Sequence, residues 1–238
     1  MKKDNQMARM KIPEFSITES QAFLKQTDGT MAQLIDNVKL FAIPKKPLNF
    51  ETFVSIITGQ MLSGKAARTI FMRVKALTGD GTITPAKLHH VTDQQLRGAG
   101  MSWAKIRSVR DLIEHVETGK LKIRNLPYMT DDEVYQATTA VKGLGYWSAE
   151  MFLMFRLKRP DIFPACDVGI QNAISKLYGK DRKKTDFEKF SRRWRPHRTV
   201  ACLYLWSYPD NPFPVKNNRQ IAAQTNARRA RPASSSRG

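Results

Sequence analysis

From about residue 18 to residue 208, apolar side chains recur at three- and four-residue spacing, and the alternation that marks a half-buried strand is scarce. That spacing predicts helix after helix, over about 18–38, 49–62, 63–78, 102–118, 130–140, 146–156, 168–178, 185–194 and 197–208, and so an all-α fold. Local punctuation agrees. Thr130-Asp131-Asp132-Glu133 reads as a capping box, Gly79 and Gly119 follow helices, and Pro196 is expected to open the last one. No internal repeat is visible.

Charge narrows the partners. Forty Lys and Arg against 21 Asp and Glu give a formal +19, for which a polyanion such as nucleic acid is the simplest partner and a solvated basic surface the alternative. Cys166 and Cys202 are the only cysteines, too few for a disulfide framework or a four-cysteine zinc or iron–sulfur site. No apolar run approaches the roughly 18 residues that a membrane span requires, and the N-terminus has no apolar signal region. No membrane partner is expected; the expected location is the cytoplasm, or the nucleoid in a bacterium. The body is expected over 15–213, between a flexible basic arm (1–14) and a disordered basic tail (214–238). That tail carries Lys216, Arg219, Arg228, Arg229, Arg231 and Arg237 with no acid, and either adds nonspecific DNA affinity or only solubilises.

One stretch asks for a specific chemistry: "VKGLGYWSAEMF", residues 141–152. A dinucleotide fingerprint needs a preceding buried strand and a third glycine, but "DDEVYQATTAV" precedes it and Ser148 takes the third position. Two readings stay open. In a plain helical connection the glycines are a C-cap and a packing contact, which explains Gly143 better than Gly145. In a helix–hairpin–helix over 139–147 they let the turn approach a DNA phosphate, which then meets the amides and positive end of the next helix.

Downstream, "FRLKRPDIFPACDVGIQNAI" places Pro160 and Pro164 before Asp167, where a further helix begins. Hairpin, helix and Pro-bounded loop ending in Asp resemble the helix–hairpin–helix (HhH-GPD) DNA glycosylase superfamily, most closely its DNA-3-methyladenine glycosylase II family. "NFETFVSIITGQMLSGKAA", "AKIRSVRDLIEHVETGKL" and "RRWRPHRTVACLYLW" are similar to other helices of that family, so the resemblance covers about residues 18–208. It implies a two-lobed helical body with a DNA cleft between the lobes. It also implies hydrolysis of the N-glycosidic bond of an alkylated purine, such as 3-methyladenine or 7-methylguanine, in duplex DNA by a monomer without an organic cofactor.

The same resemblance assigns roles. Asp167 falls where the family keeps its essential aspartate; locally it also reads as an N-cap, and the two roles are compatible, because amides and a positive helix end favour a carboxylate anion. Trp206 and Trp147 fall where the family lines its base pocket, with Tyr146, Tyr204, Met151 and Val168 as neighbours. Each aromatic taken alone also fits a core; Trp194 is assigned to the core. Met61 would be the wedge that fills the gap left by a flipped base, with Gln60 reading or supporting the opposite strand, and a buried helical Met61 is the alternative. Phosphate contacts fall to Gly143, Gly145, Lys142, Lys65 and Arg68. The carbonyls of Thr139, Val141 and Leu144 would hold a monovalent cation, Na or K.

Two departures matter. Lys142 replaces a proline common at that point of the hairpin. In bifunctional relatives a lysine stands two residues after the second glycine and forms a Schiff base; here that position is Trp147, so water is expected to attack and no strand cleavage to follow. The basic stretch from Lys176 to Arg198 is either a phosphate-facing flank or a solvated face. Other lesions (hypoxanthine, uracil, 1-methyladenine) and a noncatalytic DNA-binding module remain rival readings.

Overall fold

The computed structural model describes residues 12–40 and 48–208. Most of the arm expected at 1–14, and all of the tail at 214–238, lie outside them. The described residues contain no strand, and twelve α-helices follow one another: α1 (Ile17–Thr27), α2 (Gly29–Asn37), α3 (Phe50–Gly59), α4 (Gly64–Ala76), α5 (Pro85–His90), α6 (Asp93–Gly98), α7 (Trp103–Glu117), α8 (Asp131–Thr139), α9 (Tyr146–Phe155), α10 (Val168–Tyr178), α11 (Phe187–Ser191) and α12 (Arg198–Ser207). None of these helices is long and apolar enough to cross a membrane. The all-α expectation is met.

The body divides into two units. One takes the described residues of 1–14 and 43–159 and the other those of 15–42 and 160–238, so the second is discontinuous in sequence. In the first unit, α3 packs against α4, α7 and α9. Its Phe53, Val54 and Ile57 are buried with Ile106, Val109 and Leu112 of α7 and Phe152 and Leu153 of α9, and the Phe53 and Phe152 rings stack at 4.6 Å. Each such side chain stabilises the fold by about 1.5–3 kcal/mol on full burial. Arg110 of α7 adds polar ties to the carbonyls of Leu88 and Val91, holding the segment around α5.

In the second unit α12 is buried along almost its whole length, and Trp194 is fully buried, as expected. Here one expectation fails. The helix read over 18–38 is two helices, broken at Asp28, whose backbone is extended. Its carboxylate accepts from the amides of Thr30 and Met31, from Trp194 Nε1 at 3.0 Å and from the Tyr178 hydroxyl at 3.1 Å. Burial and the neighbouring Asp28 charge push the Tyr178 phenol well above its ordinary range. A buried carboxylate with four donors outweighs helical continuity, and two of those donors come from far along the chain.

Pro196 does not open the last helix either. It follows a cis peptide bond, and α12 begins at Arg198 after His197, which is fixed by a hydrogen bond with Ser20 and a ring contact with Phe23. The basic stretch 176–198 is partly internal. Arg198 is buried and ion-paired with Asp161 and Glu188, and Arg193 lies 4.0 Å above the Phe190 ring.

Candidate functional site

The loop between α3 and α4 presents Met61. Gln60 follows α3 as its C-cap, and Met61 then takes a left-handed conformation (φ 57°) and is 100% exposed. A non-glycine residue held at positive φ costs about 1–2 kcal/mol. The core alternative for Met61 is thereby excluded, because it touches no core at all. Ser63 restarts the chain, its Oγ accepting from the Ala66 amide to cap α4. Lys65 and Arg68 are exposed in the first turns of α4.

Gln60 is placed otherwise than expected. Its Nε2 donates to the Gly143 carbonyl at 2.8 Å and to Ser148 Oγ at 2.9 Å, so the amide braces the protein's own hairpin instead of pointing toward a second strand. A primary amide at the end of a helix finds its nearest acceptors in whatever packs beside it.

The hairpin itself separates its two glycines. Gly143 sits at φ 82°, and a Cβ there would lie 2.0 Å from Ser108 Oγ, so the fold demands glycine. Gly145 has φ −83°, a conformation open to any residue, and a Cβ there would meet nothing within 4 Å. No internal contact requires it. It is also the N-cap of α9 and supplies no side-chain cap, so the first turn of α9 faces outward behind a residue with no side chain. The Lys142 side chain is exposed, but its amide donates to Asp111 Oδ2 at 2.7 Å.

The three carbonyls expected to hold a cation lie at the C-terminal end of α8 and in the turn beyond it. Thr139 is the last residue of α8, and the Val141 carbonyl accepts from the Leu144 amide at 3.0 Å, leaving a second lone pair. All three are oxygen donors, beside a helix end of negative polarity. Such a set suits a hard cation and not a soft metal. Among the described residues no His, Cys, Asp and Glu cluster forms a metal site.

Trp147 is 40% exposed in the first turn of α9, and Met151 is half-buried one turn on. The neighbouring Tyr146 is more open still and rests against the Tyr135 ring at 5.6 Å. All these residues belong to the first unit.

Asp167 belongs to the second. It is half-buried and caps α10, its Oδ1 accepting from the Ile170 amide at 2.9 Å and from Trp206 Nε1 at 2.9 Å. Two donors on one oxygen are what a carboxylate anion satisfies best. The loop before it is stitched down by Ile162 N to Thr199 Oγ1 (3.1 Å), Thr199 N to the Pro160 carbonyl (3.0 Å) and Gln171 Nε2 to the Ala165 carbonyl (2.9 Å). Gly169 makes the indole contact possible: a Cβ there would stand 3.1 Å from Asp167 Oδ1 and 3.3 Å from Trp206 Cδ1. Val168 is exposed. Tyr204, expected beside the base pocket, is instead a core residue, 2% exposed with its hydroxyl accepting from Gln21 Nε2, because α12 is buried on nearly every side.

Comparison with known proteins decides the family. Residues 54–196, more than half of the chain, match the sequence model of the HhH-GPD superfamily base excision DNA repair proteins. The chain belongs to the HhH-GPD superfamily. The match spans the Met61 loop, the hairpin and Asp167, and stops short of Trp206. Among HhH-GPD relatives, DNA-3-methyladenine glycosylase 1 of Schizosaccharomyces pombe is 29% identical over 198 residues, covering 80% of this chain and 87% of that protein. The solved DNA-3-methyladenine glycosidase of Bacillus halodurans is 39% identical with a TM-score of 0.69, over 83% of this chain and 92% of the other. The 3-methyladenine DNA glycosylase of S. pombe, solved in complex with abasic DNA, is 27% identical with a TM-score of 0.73, over 83% of this chain and all of the other.

Sequence reasoning missed the residues that hold these parts in place. Lys105, Ser108 and Asp111 of α7 and the Trp206 indole donor carry no local signature, since each acts on a partner distant in sequence.

Proposed function

We propose that the protein is a DNA glycosylase of the 3-methyladenine glycosylase II type, which removes alkylated purines such as 3-methyladenine and 7-methylguanine from duplex DNA and so initiates base excision repair. The observation that carries this reading is Asp167, a half-buried carboxylate that caps a helix and accepts an indole N–H; the sequence resemblance assigns it the family's aspartate.

The chemistry follows from charge. An alkylated purine is cationic, so its glycosidic bond is weak and the base leaves with little acid assistance. What the enzyme must stabilise is the positive sugar. A preorganised carboxylate facing an oxocarbenium-like transition state does that, and can orient the attacking water; groups of this kind are worth roughly 10²–10³ in rate. The C1′–N bond breaks with its electron pair leaving on the base, water forms the new C1′–O bond and releases a proton to solvent, and an abasic site remains. Trp206, bonded to Asp167, offers an electron-rich face to the cationic base.

Access is the other requirement. Flipping a nucleotide costs a few kcal/mol of unstacking, offset by a wedge and by phosphate contacts. Met61 is the wedge, and Gly143, Gly145, Lys142, Lys65 and Arg68 hold the backbone, with a monovalent cation on the carbonyls of Thr139, Val141 and Leu144 to help neutralise phosphate charge. With Trp147 where bifunctional relatives carry lysine, attack by water leaves the strand intact. The protein acts as a monomer.

Incubation with N-methylated duplex DNA, followed by chromatography of the released bases, tests the proposal. Free 3-methyladenine and 7-methylguanine are expected, with no covalent DNA adduct on borohydride treatment. Absence of both bases contradicts the substrate class, and a trapped adduct contradicts hydrolysis by water.

A further inference from the structure

Three side chains spaced one turn apart on α7 reach the two DNA-directed loops of the first unit. Lys105 Nζ donates to the Thr58 carbonyl at 2.8 Å and to the Gln60 carbonyl at 2.9 Å, closing the C-terminal end of α3 immediately before Met61. Ser108 lies against Gly143, leaving no room for a Cβ there. Asp111 Oδ2 accepts the Lys142 amide at 2.7 Å. Gln60 then links the loops directly, its Nε2 bridging the Gly143 carbonyl and Ser148 Oγ. From Lys105 to Asp111 the helix rises only about 9 Å, so one rigid element fixes both.

This arrangement is more than a helix cap. Lys105 is a cation drawn partly out of solvent, and burial lowers its pKa, to satisfy two carbonyls at the end of another helix. The residue that follows those carbonyls, Met61, is strained (φ 57°) and wholly exposed, with no packing of its own to hold it. Its position therefore depends on the backbone before it, and that backbone is held by Lys105 and Gln60.

We infer that α7 is an alignment bar: Lys105 and Gln60 are positioning residues that fix the Met61 wedge at a set distance from the hairpin's phosphate grip, so that gripping the backbone and inserting the wedge occur as one movement. Neither residue need touch a base. The inference rests on the reading of Met61 as a wedge and the hairpin as a phosphate grip.

Coupling tests it. Lys105→Met and Gln60→Leu cut the brace at different points, so either folded variant gives the answer, and circular dichroism and thermal melting establish which are folded. Each is combined with Met61→Ala. The readout is the fluorescence of 2-aminopurine placed beside a tetrahydrofuran abasic analogue in duplex DNA at saturating protein, which reports unstacking without requiring base release. With Met61 present, each brace variant should lower the unstacking signal roughly fivefold or more, whereas in the Met61→Ala background the same change should have less than about a twofold effect. Lys105→Arg should recover most of the signal, since it restores donors to the same carbonyls. Equal losses in the two backgrounds, an unchanged signal in a folded brace variant, or no unstacking by the unmodified protein overturns the inference. A protein that unstacks DNA with this coupling but releases no methylpurine keeps the alignment bar and loses the glycosylase reading. One that releases methylpurine with additive losses keeps the glycosylase and loses the bar.

Discussion

Met61 stands wholly in solvent on backbone held from outside by another helix, whereas Asp167 is half-buried and held by the first turn of its own helix and by one indole. The first unit spends its polar side chains on fixing a surface shape: Lys105, Gln60 and Asp111 all bond to main-chain groups of loops. The second sets up a single oxygen, with its donors within 3 Å. The contrast matches what the two steps of the proposed reaction require. Opening a duplex needs exposed groups at fixed separations, since the work is done on an external polymer. Stabilising a sugar cation needs a charge whose partners are already in place.

The largest expected effect lies in the second region. Asp167→Asn should reduce single-turnover release of 7-methylguanine by roughly 100-fold or more while duplex affinity changes little; retained release would remove the carboxylate from the chemistry. Next comes Gly143→Ala. Positive φ and the Ser108 contact together should cost about 2 kcal/mol, visible as a lowered denaturation midpoint, and an unchanged midpoint would mean that the turn adapts freely. Trp206→Phe keeps a smaller aromatic wall and deletes the donor to Asp167 Oδ1, so a loss of about tenfold in release is expected. Equal activity would assign Trp206 to the wall alone. Gly145→Ala should be the mildest: no change in stability, since a Cβ there meets nothing, but a few-fold weaker hold on undamaged duplex as the new methyl meets the approaching phosphate. If instead it destabilises the protein and spares binding, the two glycines have been told apart wrongly.

How far the sequence foretold this depends on where the cause lies. The caps of α8 and α10 were legible because Thr130, Glu133 and Asp167 act within four residues of themselves. The two short helices α5 and α6 escaped notice through want of apolar periodicity, although Thr84-Pro85 and Thr92 with Gln95 are sound helix starts. The break at Asp28, the burial of Tyr204 and the inward turn of Gln60 were not legible. The last two are decided by a partner about 80 to 180 residues away in the chain, and at Asp28 the local cap of α2 is joined by Trp194 and Tyr178 at similar separations; no local pattern encodes such partners. The hairpin fell between these cases. Its sequence showed two glycines, and only the fold shows that Gly143 serves the protein while nothing inside the protein requires Gly145.

The division of labour between the two regions can be read in a single protein, Asp167→Asn, bound at saturation to duplex DNA carrying 2-aminopurine beside 7-methylguanine. The account predicts that the unstacking fluorescence rises as it does with the unmodified protein while almost no base is released. Loss of the unstacking signal together with release would contradict it, because the carboxylate would then be taking part in opening the duplex.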